Sequence, residues 1–229
     1  MKRSRDMEKR SEINSAIEEL SLMAIVKPGG NHETAHIPTK PFLSLCYMVL
    51  QVLDKIGPTM AVLRQDVHQN IMRLEMMHEL NPSMNSNLVE ILKSEASKGN
   101  TRKRFSCSKA FLWLTRSLDF SSALLRALEM DPKKNMEQIV QESYDATLSP
   151  WHGWISSAAF RVAIKLVPDT QTFMDLLKER DESCDTLKDQ MQILVSLLVP
   201  FLEDVHCILC ITWTGLNQLE DRRICTAFV

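Results

Sequence analysis

Glycine is scarce in this sequence: there are 6 among 229 residues, where a usual level is about 7%. They stand at Gly29, Gly30, Gly57, Gly99, Gly153 and Gly215, and no short window holds three. This excludes a Rossmann fingerprint and a glycine-rich phosphate loop. Charge of one sign is also lacking. The 27 Lys and Arg against 29 Asp and Glu leave a formal net charge of -2, whereas a general nucleic-acid binder carries a basic footprint. There is no G-x-S-x-G nucleophile elbow. The longest apolar run, Ile193–Leu202, contains Ser196 and Pro200 and is too short to span a bilayer. The opening Met1-Lys2-Arg3-Ser4-Arg5-Asp6 has no apolar stretch, so no signal peptide is expected. A reducing compartment follows, with Cys46, Cys107, Cys184, Cys207, Cys210 and Cys225 expected mostly as buried small apolar residues. Cys225 lies fifth from the end, so it is not a prenylation box.

Hydrophobic residues make up 45% and charged residues 24%, a globular balance, and the length suits a single domain. Little glycine with abundant Leu, Met, Lys and Glu favours helices. Proline and glycine divide the chain into helical blocks. After a charged leader over residues 1–12, apolar spacing predicts a helix at Glu12–Val26, then a loop at Lys27–Pro41 holding Pro28-Gly29-Gly30. Helices are expected at Phe42–Ile56, from Pro58 to about Leu80, at Leu88–Ala96 and at Phe105–Met130. Asn135–Leu166 reads as mostly helical, with a bend at Pro150. Asp131 is a candidate N-cap for it, and Gly153 suggests a close backbone approach. Pro168-Asp169 opens a short helix to about Leu177. Cys184–Leu216 closes the series with a break at Pro200. No strand, repeat or low-complexity tract is evident.

His32-Glu33-Thr34-Ala35-His36 matches H-E-x-x-H, but that zinc chemistry needs a rigid helix, and this match lies in a proline- and glycine-bounded loop. It reads as coincidence. Cys207-Ile208-Leu209-Cys210 lacks the second pair a zinc ribbon needs and reads as core positions in an apolar block. No metal site, cofactor or catalytic residue is expected. Asp66, Asn70 and Arg73 share one helix face by spacing, with Val62, Leu63, Val67, Ile71 and Leu74 opposite. They are either a solvated stripe or a hydroxyl-binding set. A carboxylate accepts, an amide does both and a guanidinium donates, an inventory that suits a sugar. Trp113 is either core or a flat platform for an apolar ligand face. His152, between Trp151 and Trp154, is either a satisfied core histidine or a ligand group.

These clusters together resemble the glycolipid transfer protein family, in particular its plant-type members. The residues carrying the resemblance are Lys40-Pro41-Phe42, Val52–Gly57, Asp66–Leu74, Leu112-Trp113-Leu114-Thr115-Arg116, Trp151-His152-Gly153-Trp154 and Ala163–Pro168. Their order and spacing follow the family over roughly Pro38–Gln218. The resemblance implies an all-α two-layer sandwich of about eight helices that holds one sphingolipid. It divides the chain into residues 1–37 (leader, first helix and loop), the transfer domain at 38–218 and a tail at 219–229.

The resemblance also implies site roles. Asp66 would bind sugar hydroxyls and the ceramide amide N–H, and Asn70 and Arg73 further hydroxyls. Trp113 would stack under the first sugar, and His152 would donate to the amide carbonyl. Leu63, Leu148, Phe160 and Ile164 fall where the family lines its chain pocket, although each serves equally as core. Arg73 replaces a lysine common among glycolipid binders. Lys109 is a possible headgroup cation, located where ceramide-1-phosphate members place one. Those members replace the tryptophan, which is kept here, so a glycosphingolipid is favoured over ceramide-1-phosphate. A tyrosine near the site in some members has no clear counterpart in Ile224–Val229. The expected protein is a non-enzymatic cytosolic carrier with transient membrane contact and no nucleic-acid partner. Trp151, Trp154 and the basic stretch Lys93, Lys98, Arg102, Lys103 and Arg104 are candidate membrane contacts.

Overall fold

The computed structural model of the chain describes residues 11–25, 36–101, 103–179 and 182–214. Among them are nine α-helices and no strand: α1 (Glu12–Ile25), α2 (Thr39–Ile56), α3 (Ala61–Leu80), α4 (Leu88–Ser97), α5 (Cys107–Met130), α6 (Met136–Thr147), α7 (Trp154–Ala163), α8 (Thr170–Leu177) and α9 (Cys184–Thr214). They form the expected all-α two-layer sandwich. Neighbouring pairs close a circuit around the core: α1 packs on α2, α2 on α3, α3 on α5, α5 on α9 and α9 back on α1, with α6 against α5. Phe42, Ile71, Leu74, Phe111, Leu114 and Leu128 are fully enclosed.

Local chemistry sets most boundaries. The side chains of Asn87, Ser106, Asn135 and Asp169 each accept a backbone N–H in the first turn of the helix that follows, satisfying donors a helix start leaves open. Glu95 adds to the start of α5, accepting the N–H groups of Cys107 at 2.8 Å and Ser108 at 2.7 Å. Gly57 ends α2 at φ 104°, a backbone state that favours glycine.

Several expectations are corrected. Asp131 ends α5, and Asn135 caps α6 instead. The block 135–166 is mostly helical and bends at Pro150 as expected, the bend being a 3-10 turn at Ser149–Trp151 followed by extended residues His152 and Gly153. A Cβ at Gly153 would meet nothing within 4 Å, so no close approach requires this glycine. Pro200 lies within α9 without ending it, on the exposed side. Val62 and Leu63 are 81% and 44% exposed, leaving Val67, Ile71 and Leu74 as the buried face of α3. Cys46 and Cys107 are buried, but Cys184 and Cys207 are exposed. Cys207 is therefore not a core position, and Cys210 lies outside the described side chains.

By length and composition, Cys184–Leu209 of α9 would suffice to cross a membrane, which the short apolar run alone did not suggest. Its Leu187, Met191, Leu194, Leu198, Leu202, Val205 and Leu209 are buried at helical spacing, and it packs on α1, α4 and α5. That one-sided burial is the pattern of a core helix.

Candidate functional site

Three elements converge on the site. One side of α3 carries Asp66, Asn70 and Arg73: Asp66 is exposed, Arg73 half-buried and Asn70 buried. The α5 helix carries Trp113 and Arg116. The bend between α6 and α7 carries Trp151 and His152. The packing of α3 on α5 and of α5 on α6 brings them together. Asn70 Nδ2 donates to the Asp66 carbonyl oxygen at 3.0 Å, and Arg73 donates to Asn70 Oδ1 at 3.1 Å. The Arg73 guanidinium also lies 5.4 Å from the centre of the Phe105 ring. The internal hydrogen bonds expected of a solvated stripe are thus present. They use the Asp66 backbone carbonyl rather than its carboxylate, and they hold the guanidinium against Asn70.

Asp66 reaches solvent, yet partial burial pushes its carboxyl above the usual carboxylate range, opposed by the charges of Arg73 and His152. The opposing charges place all three groups within one electrostatic neighbourhood. His152 lies across from Trp113, ring centres 5.5 Å apart. Burial, and then the Arg116 charge, hold its pKa below the ordinary histidine value, with Asp66 pulling the other way. Trp113 and His152 are both half-buried, so the indole is neither a sealed core residue nor a free one.

Arg116, Tyr144 and Phe105 carry parts of the site that sequence reasoning gave no role. Arg116 is only 7% exposed, and its guanidinium lies 4.9 Å from the Trp113 ring centre and 3.9 Å from that of Trp151. Burial lowers its pKa to about 10 against the pull of Asp119, so it stays charged at neutral pH as a cation–π support under the indole. Its i+3 spacing from Trp113 was the available signal. Tyr144 hydrogen-bonds His152 at 3.1 Å and stacks on Phe160 at 3.5 Å; across the bend at Pro150, no periodicity pointed to it.

The other expected residues are spread more widely. Lys109 is half-buried on α5, Leu148 and Phe160 are half-buried, Ile164 is buried, and Leu63 is exposed. Leu63 is therefore not core as it stands. Of the H-E-x-x-H match, only His36 is among the described residues, and it is exposed. Ile224–Val229 also lies outside them.

An all-α sandwich with a carboxylate, an amide, a guanidinium, an indole and an imidazole grouped at one surface has the layout of a lipid-transfer protein. The family model described as Glycolipid transfer protein (GLTP) matches residues 37–179. Glycolipid transfer protein 2 of Arabidopsis thaliana is 50% identical over 96% of this chain and 100% of its own length. Glycolipid transfer protein 3 of the same plant is 52% identical over 91% and 92%. Among solved structures, one showing how FAPP2 selects simple glycosphingolipids using the GLTP-fold is 26% identical, with a TM-score of 0.77 over 93% of this chain and 99% of that one. A mutant of Arabidopsis ACD11 complexed with ceramide-1-phosphate also has a TM-score of 0.77, over 92% of this chain and 98% of that one, at 18% identity; this likeness is one of fold alone. The chain belongs to the glycolipid transfer protein family.

Proposed function

We propose that this protein is a non-enzymatic carrier that binds one glycosphingolipid, a glycosylceramide, and moves it between membranes. The observation that carries the reading is the meeting of Asp66, Asn70 and Arg73 with Trp113 and His152 at one surface. In this reading Asp66 takes sugar hydroxyls and the ceramide amide N–H. Asn70 and Arg73 take further hydroxyls, Trp113 stacks under the first sugar, and His152 donates to the amide carbonyl. Fixed partners for both ends of the amide favour a sphingolipid, since burying either end unpaired is costly. The hydrocarbon chains would run inward past Leu148, Phe160 and Ile164, with Leu63 at the rim. The expected location is the cytosol, with transient membrane contact through α7.

Ceramide-1-phosphate is the second reading, and Lys109 and Arg73 are the residues that favour it. Against it, Trp113 occupies the position of a further cation, and Arg73 is already tied to Asn70 and Phe105. Native mass spectrometry of protein purified from cells tests both. A bound hexosylceramide is expected. A ceramide phosphate would select the second reading, and empty protein that transfers neither lipid between vesicles would point to a regulatory or interaction protein.

A further inference from the structure

Tyr144 is a buried phenol at the end of α6, 3% exposed. One face of its ring stacks on Phe160, centroids 3.5 Å apart and planes 7° from parallel. Its hydroxyl lies 3.1 Å from His152 Nδ1 and 3.4 Å from Ser157 Oγ. A buried phenol seeks a hydrogen-bond partner, and this one has a single proton to give. The bare imidazole nitrogen is the nearer acceptor and, with an imine-type lone pair, more basic than an aliphatic hydroxyl.

We propose that Tyr144 is a positioning residue: its hydroxyl donates to His152 Nδ1 and holds the imidazole proton on Nε2, the atom that meets the amide carbonyl of a ceramide-type ligand. The ligand half of this inference rests on the glycosphingolipid reading. A neutral imidazole has one N–H and one bare nitrogen, so a donor at one position fixes the other. Burial and the Arg116 charge keep His152 toward its neutral form, which is the state in which a tautomer must be chosen. A ligand amide has one donor and one acceptor. With the Asp66 carboxylate taking the amide N–H, the carbonyl needs a donor, which only the Nε2–H form supplies. Phe160 gains a role here too, because its stack fixes the Tyr144 ring that orients the histidine.

Long-range proton–nitrogen NMR on protein labelled at histidine, without added lipid, reads the tautomer directly. The wild type is expected as Nε2–H, and Tyr144→Phe as a mixture of both forms. Tyr144→Phe keeps the ring and the Phe160 stack, so its melting temperature should fall by no more than about 4 °C. Its affinity for a fluorescent glucosylceramide in phosphatidylcholine vesicles should fall about three- to tenfold. In a His152→Leu background, Tyr144→Phe should cause no further loss, because the two residues act through one hydrogen bond. An Nδ1–H wild type, or a Tyr144→Phe protein with unchanged tautomer and affinity, would overturn the inference, as would additive losses in the double variant. The tautomer is read without lipid. A wrong ligand would therefore leave it intact, and a wrong tautomer would leave Asp66-dependent glycolipid binding intact.

Discussion

At the scale of single residues, Asp66 trades stability for recognition. Its carboxyl is pushed above the usual range by burial, so the fold disfavours the ionised form that the ligand requires. The sign follows from linkage: with a raised folded pKa, stability is fully present below the unfolded value near 3.8 and declines as pH rises through the folded value. Asp66→Asn should therefore melt higher than the wild type at pH 7, and the gap should close in melts near pH 4. Binding should move the other way. Hydrogen bonds to a charged group contribute roughly 1.5–3 kcal/mol, so Asp66→Val should weaken glycosylceramide binding about ten- to a hundredfold. Full transfer by a well-folded Asp66→Val protein would remove Asp66 from the headgroup site.

Trp113 combines packing and recognition in one side chain. Because it is half-buried over Arg116, Trp113→Ala should cost less than the roughly 3–5 kcal/mol of a sealed tryptophan while reducing glycolipid transfer. Trp113→Arg, with Arg73 and Lys109 already present, should shift preference toward ceramide-1-phosphate through charge-assisted hydrogen bonds. A two-lipid fluorescence transfer assay beside thermal melts separates the outcomes: a Trp113→Ala protein that simply unfolds would mark the indole as core.

At the scale of elements, α5 positions much of the site, and its start is held from outside. Ser106 caps it through the Lys109 N–H at 3.1 Å, and Glu95 of α4 accepts from Cys107 and Ser108. Glu95→Ala should destabilise the protein by about 1–2 kcal/mol, in the manner of a lost N-cap, read as a lower denaturant midpoint with unchanged slope. Apolar spacing begins this helix at Phe105 and so misses Ser106, which caps it from one residue before Cys107. Glu95 is invisible to such a reading, since it acts from the preceding helix across a loop.

At the scale of the molecule, apolar surface gathers on α7 and the turn after it. Trp154 is 81% exposed, Ile155 65% and Val162 65%, and α7 has no buried residue. Such an unburied apolar helix beside the proposed headgroup site suits a bilayer interface, which tryptophan favours. Trp151, by contrast, is stacked on Arg116. Of the basic stretch, Lys98, Lys103 and Arg104 are exposed, Lys93 pairs with Glu90 at 3.0 Å, and Arg102 lies outside the described residues. Trp154→Ala should lower binding to neutral vesicles. Neutralising the five cations should lower only the additional binding gained with anionic lipid, where each cation is worth about 1 kcal/mol. Sedimentation with both vesicle types measures the two effects, and no change in either would leave α7 without a membrane role.

The sequence by itself determined the helical class, most helix boundaries, and the helix face shared by Asp66, Asn70 and Arg73. These depend on 3.6-residue spacing and on local caps and breakers, all read within a few positions of each residue. The ordered motifs from Lys40 to Pro168 were enough to indicate the family. Only the tertiary structure decided that Val62 and Leu63 stand exposed, that Pro200 leaves α9 unbroken, and that Arg116 lies between Trp113 and Trp151. It also brought Tyr144 to His152 across a bend where helical periodicity is lost. The reason is physical: spacing assigns a residue to a face, whereas burial and hydrogen-bond partners depend on which element packs against that face.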